Sequence, residues 1–168
     1  KADMSAPQGN VSTVLTGGLI ATTWKGAISK LALTDRDNNT WLLKNTTGLR
    51  VDKKPLGFDV ATDESCFVRQ SASLCTKASY LANSDLNVQL IAKSIPTALI
   101  QAYLPKKMTI KSLINGNVNI QRQKNTLSGR YRVDMTPAQI FLTTQEAKRE
   151  INLGASSVSG TLNGDKVS

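Results

Sequence analysis

The fold is decided by residues 108–135, which begin MTIKSLINGNVNIQ at residue 108 and end LSGRYRVDM at residue 135. In both halves, apolar side chains alternate with Lys, Asn, Gln, Ser, Arg or Asp. A period of two residues is typical of a β-strand that has one apolar and one polar face. The pattern therefore predicts an antiparallel hairpin in which residues 108–122 pair with residues 127–135.

The same alternation recurs at residues 56–60 and 86–92. Because alternate residues of a strand point to the same face, the apolar members of each run are expected to share one surface. Together the runs predict one apolar surface, whose members are Leu56, Phe58, Val60, Leu86, Val88, Leu90, Ile110, Ile114, Val118, Ile120, Leu127, Tyr131 and Val133.

The rest of the chain predicts about a dozen short strands and one short helix near residues 95–104. Glycines inside strands, such as Gly116, favour a bent and strongly curved sheet. No set of helices is available to cover the apolar faces, so either two sheets pack together or one sheet curls around an apolar interior. No linker divides residues 1–168, which are expected to form a single β-rich domain.

Composition excludes several function classes. The net charge of +9 suggests a nucleic-acid partner, but the cations are scattered along the chain and attraction to anionic lipid headgroups explains them equally well. The chain contains no His, which excludes His-based metal sites and His-dependent catalytic triads. Carboxylate pairs such as Asp63 with Glu64 lie in polar, turn-like stretches and are interpreted as solvated charges, not as acid–base catalysts. We therefore expect no enzyme activity, no catalytic residue, no metal site, no cofactor and no nucleic-acid partner.

Two cysteines, Cys66 and Cys75, flank the eight residues 67–74. This spacing suits a disulfide across a hairpin or a tight loop, and a pair of free thiols is the alternative. A disulfide would indicate an oxidising compartment such as the periplasm.

A series of landmarks over residues 24–120 resembles the TamB family of AsmA-like proteins, which provides the inner-membrane-anchored subunit of the translocation and assembly module. No single landmark is specific, but their order is. The landmarks are Trp24-Lys25-Gly26, Trp41, Cys66, Cys75, Ile95-Pro96, Tyr103-Leu104-Pro105 and Gly116.

The resemblance implies a fragment of a longer periplasmic protein whose anchor lies in the inner membrane. It implies a β-taco, which is a long curled antiparallel sheet enclosing an apolar groove, and the thirteen residues of the apolar surface would line this groove for lipid or another apolar segment. It also implies partners: phospholipid acyl chains, an outer-membrane barrel protein of the Omp85 type similar to TamA, and unfolded outer-membrane proteins. The expected function is transport of phospholipid between the two membranes together with support of outer-membrane protein assembly. The alternatives are a chaperone or scaffold that holds outer-membrane or autotransporter strands by β-augmentation, and a purely structural β-sandwich.

Overall fold

The computed structural model describes residues 1–6, 9–35, 39–124, 126–143, 147–164 and 166–167. Within them the chain forms sixteen β-strands and one short 3-10 helix, so the expected all-β fold is confirmed. In chain order the elements are β1 (Ala2–Ala6), β2 (Gly9–Ile20), β3 (Thr23–Asp35), β4 (Thr40–Leu43), β5 (Thr47–Lys54), β6 (Gly57–Thr62), β7 (Ser65–Arg69), β8 (Ala72–Tyr80), β9 (Leu86–Pro96), the 3-10 helix (Thr97–Tyr103), β10 (Met108–Lys111), β11 (Leu113–Gln123), β12 (Thr126–Met135), β13 (Ala138–Thr143), β14 (Lys148–Leu153), β15 (Ser156–Asn163) and β16 (Lys166–Val167).

Thirteen of these strands form one antiparallel sheet, which we call the large sheet. Its order is β1-β2-β3-β4-β7-β8-β9-β11-β12-β15-β16, and β5 and β6 run beside this path. Strands β4 and β5 both pair with β3, and β6 and β7 both pair with β8, so the thirteen strands fill eleven positions. At about 4.8 Å between neighbours, the sheet extends roughly 48 Å across its strands.

The large sheet is curved, and two irregularities contribute to the curvature. The pairing register shifts between Val14 and Leu15 opposite β3, and again between Ile114 and Gly116 opposite β9. At the second shift Ser94 has a positive φ of 53°. An extra residue in one strand of a pair bends that strand and increases its twist.

The three strands β10, β13 and β14 form a small sheet that prolongs the large one beyond a break. The pairs Val133 with Val158 and Ile140 with Ile151 follow one continuous register across this break. Pro137 lies at the break and has no N–H to donate to a ladder, which is one physical reason for the interruption. The expected strand 108–122 is therefore two strands, β10 and β11, separated by Ser112.

The expected helix is present, but it is a 3-10 helix over Thr97–Tyr103, while Ile95 and Pro96 still belong to β9. It lies beside the outer edge of β10 and not on a face of the large sheet. Thr97 is 2% exposed, and its hydroxyl donates to the Ile110 carbonyl over 2.6 Å and accepts from the Ser112 N–H over 3.0 Å. Gln101 Nε2 donates to the Met108 carbonyl over 2.7 Å. The helix therefore satisfies backbone groups that an open strand edge would leave unpaired.

The described strands enclose no closed apolar core. Among the described residues, only two hydrophobic side chains are buried, Ala72 and Ala138. The accessible surface is 11760 Å² for 18.1 kDa, whereas a globular protein of that mass exposes about 8,100 Å². Extensive contacts in the described part of the chain join strands that are hydrogen-bonded neighbours, apart from the contact between the helix and β10. Of the two arrangements that the sequence left open, the structure therefore does not show two packed layers, and the small sheet extends the large one end to end.

Candidate functional site: the apolar face of the large sheet

Cross-strand register assigns each residue of the large sheet to one of two faces, since directly paired residues point to the same side. One unbroken row of paired residues crosses seven strands and contains no polar side chain. Its members are Leu43, Phe67, Leu74, Ala92, Gly116, Val133 and Val158. We call the side that carries this row the apolar face.

A second row on the same face runs along one end of the strands. It contains a single charged residue, Arg122. Its members are Leu19, Trp24, Val51, Val60, Tyr80, Leu86, Arg122 and Leu127. Between these two rows the face stays uncharged, as in the paired residues Leu90, Val118 and Tyr131.

The structure brings eleven of the thirteen predicted residues together on the apolar face. They are Phe58, Val60, Leu86, Val88, Leu90, Ile114, Val118, Ile120, Leu127, Tyr131 and Val133. Of the other two, Leu56 lies in the turn between β5 and β6 with 90% of its surface exposed. Ile110 lies in β10, where it pairs with Ile140 of the small sheet.

Sequence reasoning missed more than half of the apolar face. Trp24, Leu49 and Val51 belong to it through the pairing of β3 with β5, and Phe67 and Leu74 through the pairing of β7 with β8. Trp24 and Val51 lie between polar neighbours, so a local signal existed there, whereas Phe67 lies between Cys66 and Val68. Their common side follows only from the register between strands that are not adjacent in the sequence.

Apolar-face residues are partly shielded by one another but remain open to solvent. Val118, Tyr131 and Leu90 are half-buried, and Phe58 is 53% exposed. Because no other part of the described chain covers these side chains, an apolar ligand bound to the face would remove a large apolar area from water.

Charged residues of the described large sheet lie mainly on the opposite side, which we call the polar face. One row there pairs Lys77 with Gln89, Asn119, Arg130 and Thr161. On this face Arg132 and Ser157 hydrogen-bond Asp134 and hold the pKa of that carboxyl below its usual value.

Ion pairing also orders the polar face near β5. Arg50 Nε donates to Asp52 Oδ2 over 2.7 Å, and Thr23 Oγ1 donates to Asp52 Oδ1 over 2.5 Å. These two contacts lower the pKa of the Asp52 carboxyl, the Arg50 contact having the larger effect. The polar face is therefore a hydrated, charged surface, in contrast to its reverse side.

Depressions on the polar face are lined by hydrophilic side chains. One of them has a volume of about 520 Å³ and is lined by Asn119, Gln121, Ser128, Gly129, Arg130, Thr161, Leu162 and Asn163. A lining of this kind does not suit an acyl chain, because amide and guanidinium groups would lose water without gaining partners. The apolar face is therefore the better candidate for binding a hydrophobic ligand.

The predicted disulfide is present: Cys66 and Cys75 are directly paired residues of β7 and β8, with 4.0 Å between their Cα atoms. They lie on the polar face. Within the described residues, one candidate metal-binding group was found, which consists of Glu64 and these two cysteines. Because both sulfurs are joined in the disulfide, neither offers a thiolate to a metal.

None of the described helical segments has the length and apolar character needed to cross a membrane. In a comparison with protein families, the family model described as TamB, N-terminal domain, matches residues 1–168. No curated protein and no solved structure matches the chain significantly. The match to this family model therefore covers the whole chain and does not depend on a short motif.

Proposed function

This chain belongs to the TamB family, which is tied to biogenesis of the cell envelope, and on that basis we propose that its apolar face carries phospholipid acyl chains across the periplasm. In this proposal the curved sheet forms an open trough, the acyl chains lie on the apolar face, and the headgroups stay in water at the ends of the strands. The family is not a known enzyme family, and the proposed task needs no catalytic group.

One observation carries the proposal: an apolar row that crosses seven strands and that nothing in the described chain covers. Each methylene that leaves water on such a surface contributes about 0.8 kcal/mol, so a modest length of acyl chain is sufficient for binding. In the wider proposal, the full-length protein is anchored in the inner membrane and hands lipid to the outer membrane beside an Omp85-type barrel protein. Unfolded outer-membrane proteins are the alternative cargo.

A photocrosslinking experiment tests the proposal at two positions of β11 that lie on opposite faces of the sheet. Val118 lies on the apolar face between Leu90 and Tyr131, whereas Gln121 lies on the polar face between Asn87 and Ser128. A photoreactive amino acid is placed at each position of the full-length protein in cells, and the adducts are identified by mass spectrometry. Phospholipid adducts at position 118 and none at position 121 are expected.

Two results would contradict the proposal. Equal lipid yields at both positions would show adventitious labelling, and polypeptide adducts in place of lipid at position 118 would indicate the chaperone function. The matched substitutions Val118→Arg and Gln121→Arg give a second readout. Because Val118 is half-buried and remains open to solvent, Val118→Arg is expected to leave the protein folded while abolishing lipid capture. Gln121→Arg is expected to change neither folding nor lipid capture.

A further inference from the structure

Arg122 occupies an unusual place, since it is a cation on the apolar face. It lies in β11, and its two directly paired neighbours are Leu86 of β9 and Leu127 of β12. Register puts all three side chains on one side of the sheet. Arg122 is half-buried between these two leucines.

Charge on the apolar face is confined to the ends of strands. Among the described residues of the large sheet, the charged positions on this face are Asp35, Lys53, Arg69 and Arg122. Each is the last or the next-to-last residue of its strand. Three of the four are cations, and Asp35 contacts Asn39 through both of its carboxylate oxygens. The face is therefore apolar along its middle and mainly cationic along its borders.

The guanidinium of Arg122 is held in place by one of its nitrogens. Its Nε donates to the Ser84 carbonyl in the turn between β8 and β9 over 2.9 Å. Within the part of the chain that the structure describes, its two terminal nitrogens have no hydrogen-bond or ion-pair partner. A guanidinium anchored in this way keeps its terminal N–H groups available for the two oxygens of a phosphate.

The acidic residue nearest in sequence to this anchor is already engaged. Asp85 follows Ser84, and its carboxylate accepts from the Lys124 N–H and from Asn83 Nδ2. The charge on Arg122 therefore has no ion-pair partner among the described carboxylates.

From this arrangement we propose that Arg122 binds the headgroup phosphate of a phospholipid whose acyl chains lie on the apolar face. The inference rests on the proposed function and adds a headgroup site to it. The phosphate accepts from the two terminal nitrogens of Arg122, and the first methylenes of the acyl chains contact Leu86 and Leu127.

The length of β11 fits this placement. From Arg122 the strand continues under the apolar face through Ile120, Val118 and Gly116 to Ile114, a distance of about 27 Å at 3.4 Å per residue. An acyl chain that fills one leaflet of a bilayer spans about 15 Å, which is half of the hydrocarbon core. A lipid whose phosphate is bound at Arg122 can therefore lay its whole chain on uncharged surface.

The test compares two lipids that have the same acyl chains, of which only one carries a phosphate, as part of a phosphoglycerol headgroup. The purified protein is incubated with vesicles that contain dioleoylphosphatidylglycerol and dioleoylglycerol in equal amounts, and the bound lipids are counted by mass spectrometry. Wild type is expected to bind the phospholipid about tenfold more than dioleoylglycerol, since charge-assisted hydrogen bonds to phosphate are lost with the latter. Arg122→Gln is expected to remove this preference while leaving the total lipid bound nearly unchanged.

Arg130→Gln is the matched control, because it removes the same charge from the polar face. It is expected to keep the preference. Thermal melts check the folding of both variants. The Arg122→Gln substitution keeps a side-chain amide that can donate to the Ser84 carbonyl, so the turn between β8 and β9 does not lose its partner.

Four results would overturn the inference. An unchanged preference in Arg122→Gln would remove the headgroup site and leave the proposed function standing, whereas no lipid bound to wild type would remove both. An equal loss in Arg130→Gln would show that net charge alone sets the preference. If inorganic phosphate at low millimolar concentration abolished the preference for the phospholipid, the site at Arg122 would be one for free anions and not for a lipid headgroup.

Discussion

The indole ring of Trp24 lies across the backbone of Gly26, two residues further along β3, and reaches over Gly17 on the neighbouring strand. Gly17 and Gly26 are directly paired, so neither puts a side chain under the ring. A Cβ added at Gly17 would come within 2.5 Å of the Trp24 ring, and one added at Gly26 would collide with it. The glycine pair therefore allows a large aromatic ring to lie flat on the apolar face, which extends that face towards β2.

Substitution of Gly26 tests this contact. Gly26→Ala is expected to lower the free energy of unfolding by about 1–3 kcal/mol, because the new methyl group would collide with the Trp24 ring and with the carbonyl oxygen of Thr16. Gly18→Ala is the matched control, since Gly18 has no atom near its missing Cβ. There the substitution is expected to be neutral or to stabilise by up to about 1 kcal/mol, because alanine loses less backbone freedom on folding. Denaturant unfolding measures both variants, and equal effects would contradict the proposed contact.

The Cys66–Cys75 disulfide gives a second prediction. Thiol labelling of the denatured, unreduced protein is expected to find no free cysteine. The Cys66→Ser, Cys75→Ser double variant is expected to lower the free energy of unfolding by about 2.5–3 kcal/mol, because the unfolded chain regains the freedom of a short closed loop. Lipid binding by the folded fraction should not change, since both residues lie on the polar face. Stoichiometric labelling of the unreduced wild type would refute the bridge.

Thr97 gives a third prediction, at the junction between β9, the helix and β10. Thr97→Val keeps the shape of the side chain but removes the hydroxyl, which leaves the Ser112 N–H and the Ile110 carbonyl without their partner. A loss of about 1–3 kcal/mol in the free energy of unfolding is expected. Thr109→Val is the control, because the Thr109 side chain is exposed, and it should change stability by less than about 0.5 kcal/mol. A small effect at both positions would show that the junction tolerates an unpaired amide.

The sequence predicted the class of the fold because alternation is a local property. In residues 113–123 and 126–135, the alternation of apolar and polar side chains shows which residues share a face of each strand. The tight connection between the two strands sets which residues pair. The cysteine pair was predictable for the same reason, since its two strands form a hairpin with a two-residue turn. Eleven of the thirteen apolar residues predicted from such runs share one face.

The two residues that lie elsewhere show where local reasoning fails. Leu56 continues the alternation of Phe58 and Val60, but β6 begins only at Gly57, and Leu56 lies in the turn after Pro55. Ile110 continues the alternation of Ile114, but the ladder breaks at Ser112, where a buried threonine from the helix takes the backbone partners. Nothing in the periodicity of either segment marks these boundaries.

By itself, therefore, the sequence determined which residues are apolar on each strand, that the chain is all-β, and that Cys66 can reach Cys75. Tertiary structure alone decided that these separate apolar sides join into one uncovered face, because that depends on register between strands far apart in the chain, such as β3 with β5 and β12 with β15. It alone also placed Arg122 between Leu86 and Leu127. In the sequence this arginine follows Gln121 and precedes Gln123 as one more polar residue at the end of a strand, and only pairing on both sides shows that its charge lies on the apolar face.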